Sequence, residues 1–249
     1  MKKILFCQGG LGDHLALSTI PEEWSKQGHE VFLSYRNIHR NLEIHELVWK
    51  LNPYISGYTD EEPVIYVSSD DGVILNKDRI LNGWGFIESL EIKHGILNSG
   101  NVIPKIYRKH NHINELSEKT IINFQSITQH YKEDHVLQKL DQIIDNLGIS
   151  ESDILDVELI PDVNVYGNRF YNIHETKKID TKYNKIQIFN IFNHCDVINS
   201  CKNYITLHSG SAVLASAINN KNTFVIMNDE TKYAYDTRNF IFPNQNYIF

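Results

Sequence analysis

The sequence predicts an α/β protein of two domains, each built on a parallel β-sheet. Short apolar runs alternate with amphipathic stretches along the 249 residues, which is typical of β-α-β units. A polar segment interrupts this alternation near the middle of the chain. An apolar strand, a glycine-containing turn and a helix follow one another once on each side of that segment. Because parallel strands place their carboxyl ends at one sheet edge, we expect a ligand cleft where the two domains face each other.

The N-terminal half is expected to contain three strands and three helices. The strands are "KKILFC", "HEVFLSY" and "PVIYVSS", compact apolar runs of the kind buried in parallel sheets. A single helix is expected over "DHLALSTIPEEWSKQG", ending at Gly28. A second is expected over residues 38–52, with Leu42, Leu47 and Leu51 facing inward, and a third over "GWGFIESLEIKHGI".

The domain boundary is predicted near Lys109, inside the polar segment "NSGNVIPKIYRKHNHINELSE". Residues 1–109 form the first predicted domain and residues 110–249 form the second. In the second domain, strands are expected at "KTIINFQS", "DILDVELI", "KNYITLHSG" and "NTFVIM". Helices are expected at "HVLQKLDQIIDNLG", "NKIQIFNIFNHCD" and "SAVLASAIN".

Charge and cysteine content exclude several classes of protein. The formal net charge of -7, with no dense stripe of Lys and Arg, argues against a nucleic-acid partner. The three cysteines (Cys7, Cys195 and Cys201) lack the spacing of a metal site or a disulfide framework, and they suit a reducing compartment. No apolar run approaches the length that spans a bilayer. These features predict a cytoplasmic protein.

The first glycine turn, "GGLGDH", lies between the first strand and a helix. Gly10 and Gly12 match the first two positions of a dinucleotide-binding fingerprint, but Leu15 occupies the third. The second strand ends near Arg36 instead of the acid that binds a ribose, which leaves an NADP-dependent oxidoreductase as an alternative. Asp13 has two interpretations, either as a cap of the helix or as a carboxylate with a chemical role.

The second glycine turn, "HSGSAV", joins an apolar strand to a helix of small residues. The backbone N–H groups at that helix start, together with the hydroxyls of Ser209 and Ser211, suit a phosphate or a diphosphate. Gly210 allows the chain to turn tightly. A second interpretation is equally open, in which Ser209 is an N-cap and nothing more.

These segments carry a resemblance to a known family. "GGLGDHLALSTIP", "GHEVFLSY" and "HCDVINSCKNYITLHSGSAVLASAINNKNTFVIM" occur in this order and are similar to the bacterial lipopolysaccharide heptosyltransferases and related GT-B glycosyltransferases. The resemblance implies two Rossmann-like domains facing a cleft, the N-terminal one for the acceptor and the C-terminal one for a nucleotide-diphospho-sugar. It also implies that the donor is a co-substrate, with no cofactor and no metal requirement.

By the same resemblance, Asp13 is the catalytic base, which takes a proton from the acceptor hydroxyl that attacks the anomeric carbon. Gly10, Gly12 and His14 form the acceptor-side turn, with His14 at the edge of the cleft. The residues expected to bind the donor phosphates are His208, Ser209, Gly210, Ser211 and, more weakly, Lys132.

The sequence departs from the family pattern at two places. Val213 stands where the family has a histidine, and Gln129 lies nearer than Lys132 to the place of a family lysine. Three functions therefore stay open. They are sugar transfer to a lipopolysaccharide or capsule precursor at the inner face of the cell membrane, ligand binding or scaffolding without catalysis, and NADP-dependent oxidoreduction. The expected partners are a nucleotide sugar and a saccharide or glycolipid acceptor, with peripheral membrane contact and no nucleic acid.

Overall fold

The computed structural model of the chain describes residues 1–39, 42–63, 85–126, 131–160, 177–218, 220, 222–228 and 242–249. The chain divides into two compact units. The first comprises Met1–Arg108 and Thr237–Pro243, and the second comprises Lys109–Asp236 and Asn244–Phe249. Residues 237–243 therefore group with the first unit, whereas the predicted range 110–249 includes them in the second.

The first unit is built on a parallel sheet in the order β1–β3–β5, with a short parallel pair, β2–β4, beside it. Its described elements are β1 (Lys2–Leu5), β2 (Gln8–Gly9), α1 (Leu11–Ala16), α2 (Ile20–Lys26), β3 (Glu30–Ser34), β4 (Ile38–His39), α3 (Leu42–His45), β5 (Gly57–Thr59) and α4 (Phe86–Lys93). The sequence did not predict β5. The predicted strand "PVIYVSS" lies, from residue 64 onward, outside the described residues.

The first predicted helix is in fact two helices, because the chain turns between Ala16 and Ile20. Pro21 lies in the first turn of α2, and it has no N–H to donate to the carbonyl of Leu17 four residues earlier. The single helix expected over residues 13–28 is therefore wrong. Its apolar residues are nonetheless buried on the two pieces and in the turn between them.

The second predicted helix is also interrupted. The α-helical part covers only Leu42–His45 and continues as a π-helical turn over Glu46–Lys50. Leu47 is buried as expected, whereas Leu42 and Leu51 are 61% and 41% exposed. A π turn holds more residues than an α turn, so the inward positions predicted from α-helical spacing are shifted.

The polar segment before the predicted boundary is extended but firmly attached to the first unit. Lys105 donates its backbone N–H to Ser18 Oγ at 2.8 Å and its Nζ to the Glu22 carboxylate at 2.6 Å. The side-chain amide of Asn101 donates to the buried Glu91 carboxylate at 2.8 Å. Hydrogen bonds to carboxylates therefore hold a segment that lacks apolar periodicity.

The second unit is built on a six-stranded parallel sheet in the order β10–β8–β6–β11–β12–β13. Its described elements are β6 (Thr120–Asn123), β7 (Gln125–Ser126), α5 (Glu133–Leu147), β8 (Ile154–Leu159), β9 (Lys177–Lys178), β10 (Asn184–Ile188), α6 (Ile191–Ser200), β11 (Asn203–Leu207), α7 (Gly210–Ile218), β12 (Thr223–Ile226) and β13 (Gln245–Ile248). β7 and β9 form a separate antiparallel pair. Within the main sheet, this is the doubly wound order third–second–first–fourth–fifth–sixth.

The helix expected over "NKIQIFNIFNHCD" is wrong. Its first part is β10, in which Asn184 lies opposite Leu155 of β8. Helix α6 begins only after Asn190, whose side chain caps it by accepting the N–H of Asn193 at 2.7 Å. A short apolar strand next to a helix can look like part of that helix in the sequence. Over so few residues, the spacing of apolar residues does not distinguish a strand from a helix. The sequence did not predict β13 either.

An apolar cluster in the second unit joins α5 to the sheet. Val136 and Leu140 of α5 belong to the same buried cluster as Ile122 of β6 and Ile205 of β11. This packing holds the central strands β6 and β11 against a helix, as expected for an α/β sheet. In the described part of the chain, no helix is both long enough and apolar enough to cross a membrane.

Candidate functional site

The first glycine turn is closed by the side chain of Asp13. Gly10 is the N-cap residue of α1, and Asp13 is the third residue of the helix, so Asp13 is not itself the N-cap. Its Oδ2 accepts the backbone N–H of Gly10 at 2.7 Å, which is one half of a capping box. Gly9 has a φ of +139°, and a Cβ atom there would overlap with the Asp13 carboxylate. The turn therefore requires glycine at position 9 so that this carboxylate can lie over the backbone.

The exposed Asp13 carboxylate also influences the buried thiol beneath the turn. Burial, reinforced by the negative charge of Asp13, raises the pKa of Cys7 well above its ordinary value. Cys7 is therefore a neutral thiol at physiological pH, and it cannot serve as a nucleophile. The side chain of Asp13, in contrast, is exposed.

His14 is buried within the first unit, whereas the sequence predicted it at the edge of a cleft. Its side chain is 0% exposed, and its Nδ1 accepts the indole N–H of Trp49 at 2.8 Å. The opposite ring nitrogen, Nε2, therefore carries the proton and donates to the carbonyl of Ile38 at 3.2 Å. His14 positions the helix that carries Asp13, and its ring is part of the core.

The second glycine turn forms the start of α7. The Oγ of Ser209 accepts the N–H of Ser211 at 3.3 Å, and the Ser209 carbonyl accepts the N–H of Ala212 at 3.0 Å. Ser209 therefore caps the helix, as one of the two interpretations predicted. Among the described residues, the N–H of Gly210 has no hydrogen-bond partner, so it is available to an anion. Gly210 is not one of the described glycines with a positive φ, so the turn does not need it for that reason.

A buried polar network lies beneath the second turn. Asn123, the last residue of β6, donates from Nδ2 to the hydroxyls of Ser211 and Tyr204 at 3.1 and 3.2 Å. The same nitrogen lies 3.4 Å from Nε2 of His194, which is itself 2.9 Å from the Tyr204 hydroxyl. The two N–H groups of the Asn123 amide are used by the two hydroxyls, so the hydrogen bond of His194 in this network is the one to Tyr204. These residues were not predicted from the sequence, although an asparagine ending an apolar strand was a usable signal.

The network is neutral. Burial lowers the pKa of His194 to about 4, and burial raises the pKa of the Tyr204 hydroxyl. Neutral, mutually bonded groups can be buried without the cost of an unpaired charge. The network therefore fixes the position of the Ser211 hydroxyl in the first turn of α7.

Tyr131 connects the start of α5 to the second turn. Its hydroxyl accepts the N–H of His208 at 3.0 Å and donates to the His208 carbonyl at 3.3 Å. Lys132 follows Tyr131 and is the exposed N-cap residue of α5, so the structure brings it to the same edge of the unit. Burial lowers the pKa of His208 to about 4, and its ring supplies no positive charge near neutral pH. Gln129 lies outside the described residues.

The second turn lies at the topological switch point of its sheet. The strand order reverses between β6, which ends at Asn123, and β11, which leads into the residues from His208 to Ser211. In open parallel sheets, ligands bind outside the carboxyl ends of the strands at this point. An N–H group at a helix start and two serine hydroxyls therefore lie where a phosphorylated ligand is expected.

The described residues do not assemble a metal site. No group of three or more His, Cys, Asp or Glu side chains in the described ranges is arranged to hold a metal ion. The cysteines Cys7, Cys195 and Cys201 are all free and buried.

No family model matches the chain, and no curated protein sequence matches it. Several solved glycosyltransferase structures do match it. The iron-containing dodecameric glycosyltransferase TibC of enterotoxigenic E. coli is 17% identical with a TM-score of 0.65, over 98% of this chain and 61% of TibC. A second TibC structure, described as a heptosyltransferase in complex with ADP-D-β-D-heptose, is 16% identical with a TM-score of 0.63 and the same coverage.

The E. coli heptosyltransferase WaaC, solved with ADP-2-deoxy-2-fluoro heptose, is 9% identical with a TM-score of 0.53, over 100% of this chain and 93% of WaaC. At these identities the likeness shows the fold, and the chain has the GT-B fold of these glycosyltransferases. The prediction of an α/β fold with two Rossmann-like domains is thereby confirmed. The chain spans only about three fifths of the length of TibC, 61%.

Proposed function

We propose that this protein is a glycosyltransferase. It would move a sugar from a nucleotide-diphospho-sugar donor to a saccharide precursor of the cell surface, such as one of lipopolysaccharide or capsule. The observation that carries the proposal is the second turn, where the Gly210 N–H and the hydroxyls of Ser209 and Ser211 converge at the switch point of a doubly wound sheet. The likeness to TibC, whose structure was solved with ADP-heptose, supports an ADP-linked sugar as the first donor to test.

The proposed mechanism is a direct displacement at the anomeric carbon. The Asp13 carboxylate accepts the proton of the acceptor hydroxyl while that oxygen forms its bond to the anomeric carbon. The bond between the anomeric carbon and the diphosphate oxygen breaks at the same time, and the electron pair leaves with the nucleoside diphosphate. The partial positive charge at the N-terminus of α7, with the Ser209 and Ser211 hydroxyls, stabilises the leaving group, and Lys132 adds a positive charge nearby.

Asp13 is suited to the role of base by its geometry. One carboxylate oxygen is anchored by the Gly10 N–H at 2.7 Å, which fixes the orientation of the group while the side chain stays exposed. Gly12, beside Asp13, adds no side chain, so an acceptor can approach the backbone there closely. His14 contributes indirectly, because its bond to Trp49 fixes α1 from beneath.

Metal independence is part of the proposal. TibC is described as iron-containing, but the described residues of this chain offer no matching ligand group, so no step is derived through iron. We expect turnover to be unchanged by a strong chelator.

The protein would act in the cytoplasm at the inner face of the membrane, with peripheral contact to a glycolipid acceptor and without a nucleic-acid partner.

A binding experiment tests the proposal. Isothermal titration of the purified protein with ADP, ADP-heptose, UDP-glucose and NADPH should show binding of at least one nucleoside diphosphate or nucleotide sugar. The Ser211→Ala variant should bind it more weakly, whereas Ser150→Ala, an exposed serine of the same unit, should bind it normally. Binding of NADPH alone would contradict the proposal.

Two observations weigh against the oxidoreductase. The Asp13 carboxylate already accepts the Gly10 N–H, which a pyrophosphate would need, and Arg36 forms an ion pair with Glu62. The non-catalytic alternative is favoured by Val213, which cannot supply the hydrogen bond of the family histidine. That alternative predicts nucleotide-sugar binding without transfer or hydrolysis, which a radiolabelled donor would reveal.

A further inference from the structure

An exposed aromatic cluster on the first unit has no role in the mechanism above. Tyr35 directly follows β3, Tyr58 lies in β5, and His45 is the last residue of α3. We name these three residues the aromatic platform. Tyr35 and Tyr58 are 72% and 38% exposed, so two neighbouring aromatic rings lie at the surface of the unit.

The platform is ordered by contacts among its own members. The Tyr35 and Tyr58 rings stack with centroids 5.7 Å apart and planes 26° from parallel. The Tyr58 hydroxyl and Nε2 of His45 are hydrogen-bonded at 2.9 Å, and the centroids of the two rings are 5.6 Å apart. The Tyr58 ring is therefore held from two sides. The outer face of Tyr35 remains open, which gives a rigid, flat apolar surface bordered by hydroxyl and imidazole groups.

Backbone pairing connects the platform to the Asp13 turn. After Tyr35 the chain continues into β4, whose Ile38 lies opposite Gln8 of β2. The N–H of Ile38 also donates to the Cys7 carbonyl at 3.1 Å. β2 leads directly into the turn that holds Asp13. Both features therefore lie at the edge of the unit where β1 and β3 end, as a common ligand would require.

We infer that the aromatic platform binds the saccharide acceptor by stacking a pyranose ring on Tyr35. The inference rests on the proposed function, because it names the acceptor subsite of the same reaction. A pyranose presents a flat face of C–H groups that packs against an aromatic ring, while its hydroxyls bond to polar groups at the rim. Arg36, which follows Tyr35 and pairs with the exposed Glu62, supplies such a rim.

The dimensions of the platform favour a small ligand over a protein. Two tyrosine rings and an imidazole offer far less area than the roughly 800 Å² that each partner buries in a stable protein interface. A single sugar ring needs only the area of one tyrosine face. The mixture of an open ring and nearby charged groups also fits a sugar better than a purely apolar ligand.

Saturation-transfer NMR tests the inference directly. Delipidated core oligosaccharides released from lipopolysaccharide serve as the probe, with the whole chain as the receptor. Irradiation of tyrosine ring protons should transfer magnetisation to sugar C–H protons in the wild-type protein. The Tyr35→Ala variant should lose this transfer and bind about tenfold more weakly, whereas Tyr35→Phe, which keeps the ring, should bind within about threefold of wild type.

The matched control is Phe189→Ala, which removes a ring that is 53% exposed in the second unit. It should leave oligosaccharide binding unchanged. Titration with ADP-heptose in the same samples separates the two proposals, because Tyr35→Ala should bind the donor normally. Loss of oligosaccharide binding in Tyr35→Ala, with donor binding and melting temperature intact, supports the inference.

Three results would overturn it. The first is equal oligosaccharide binding by wild type and Tyr35→Ala, or no binding by the wild type. The second is displacement of the signal by adenosine, which would make the platform a nucleobase site. The third is a change of sedimentation coefficient in Tyr35→Ala without a change in saccharide binding, which would make it a contact between copies. In each case, binding of ADP-heptose in the same samples would mean that the proposed function is not contradicted.

Discussion

The side-chain amide of Asn123 donates a hydrogen bond of 3.1 Å to the hydroxyl of Ser211. This contact joins the end of β6 to the first turn of α7 across the point where the strand order of the sheet reverses. The bond from Asn123 fixes the position of the Ser211 hydroxyl in the first turn of α7, where a phosphate oxygen would be bound. The position of a donor group for the ligand is thus set by a residue that the ligand need not touch.

Asn123→Ala should therefore weaken nucleoside diphosphate binding as well as stability. The variant leaves the buried Tyr204 hydroxyl and the part-buried Ser211 hydroxyl without their donor, and we expect a loss of about 1–3 kcal/mol in the free energy of unfolding. In titration calorimetry, Asn123→Ala and Ser211→Ala should each reduce ADP affinity, and the double variant should lose less than the sum. Additive losses would show that Asn123 acts on binding independently of Ser211, and unchanged ADP affinity in Asn123→Ala would show that it acts on stability alone. Adenosine affinity, which lacks the diphosphate contribution, should change little in all three variants.

Asp13→Asn should lower turnover by roughly 100- to 10,000-fold, the usual range for removing a general base. Asparagine keeps an oxygen that can accept the Gly10 N–H, so the capping contact and the melting temperature should survive. Donor affinity should also be unchanged. Initial rates with the donor and an oligosaccharide acceptor give the turnover number. Near-normal turnover would leave Asp13 with a purely structural role in its capping box.

Gly9→Ala should both destabilise the protein and displace the Asp13 carboxylate. The φ of +139° disfavours any side chain, and the added Cβ would overlap with the Asp13 carboxylate. Gly28→Ala is the matched control, because Gly28 also has a positive φ, of +80°, but no atom within 4 Å of the place that an added methyl group would occupy. Melting temperature and turnover measured on both variants separate backbone strain from displacement of Asp13. Equal effects of the two substitutions would argue against the close packing of Asp13 on Gly9.

Stability should fall as the pH is lowered from about 6.5 to 4. Burial lowers the pKa of His94 and of His194 to about 4, from an ordinary value of 6.5. The unfolded chain therefore binds more protons in this range, so the stability is fully present above pH 6.5 and is lost toward pH 4. In the described part of the chain, Nε2 of His94 has no hydrogen-bond partner, so protonation would leave a buried charge without an acceptor.

Urea unfolding at pH 7.5, 5.5 and 4.5 measures this dependence. His94→Asn keeps a donor near the position of Nδ1, which contacts the Leu90 carbonyl at 2.7 Å, but removes the titrating ring. The variant should be less stable at pH 7.5 and should show a shallower loss between pH 6.5 and 4. An unchanged slope would mean that His94 is not one of the groups responsible.

The second turn was predictable from sequence because its parts are local. An apolar strand, Ser209, Gly210 and a helix of small residues follow one another within one stretch, and the cap contact spans only two residues. The alternation of strands and helices likewise predicted a parallel α/β fold, since each signal depends on neighbours in the chain.

The polar network and the burial of His14 depend on contacts that sequence does not display. Asn123 and Ser211 are 88 positions apart, and His14 and Trp49 are 35 positions apart. A histidine beside Asp13 therefore looked like part of the acceptor turn, although a distant indole fixes it in the core. Tyr131 was missed for the same reason, because its partner is the backbone of His208.

The errors in secondary structure have local physical causes. Pro21 ended a helix that apolar spacing alone would continue, and the π turn over Glu46–Lys50 changed the spacing on which the inward residues were chosen. In the polar segment, Asn101 and Lys105 bind the carboxylates of Glu91 and Glu22, so polar contacts attach the segment to the first unit and its sequence shows no apolar pattern.

Binding of a nucleoside diphosphate at the second turn is the step on which the proposed function depends. Titration of ADP into the ¹⁵N-labelled protein, followed by amide NMR, measures it at the residues concerned. We expect the Gly210 and Ser211 signals to shift with a common saturation curve, while those of Gly10 and Gly12 stay in place. Shifts at Gly10 and Gly12 without shifts at Gly210 and Ser211 would contradict the proposed site.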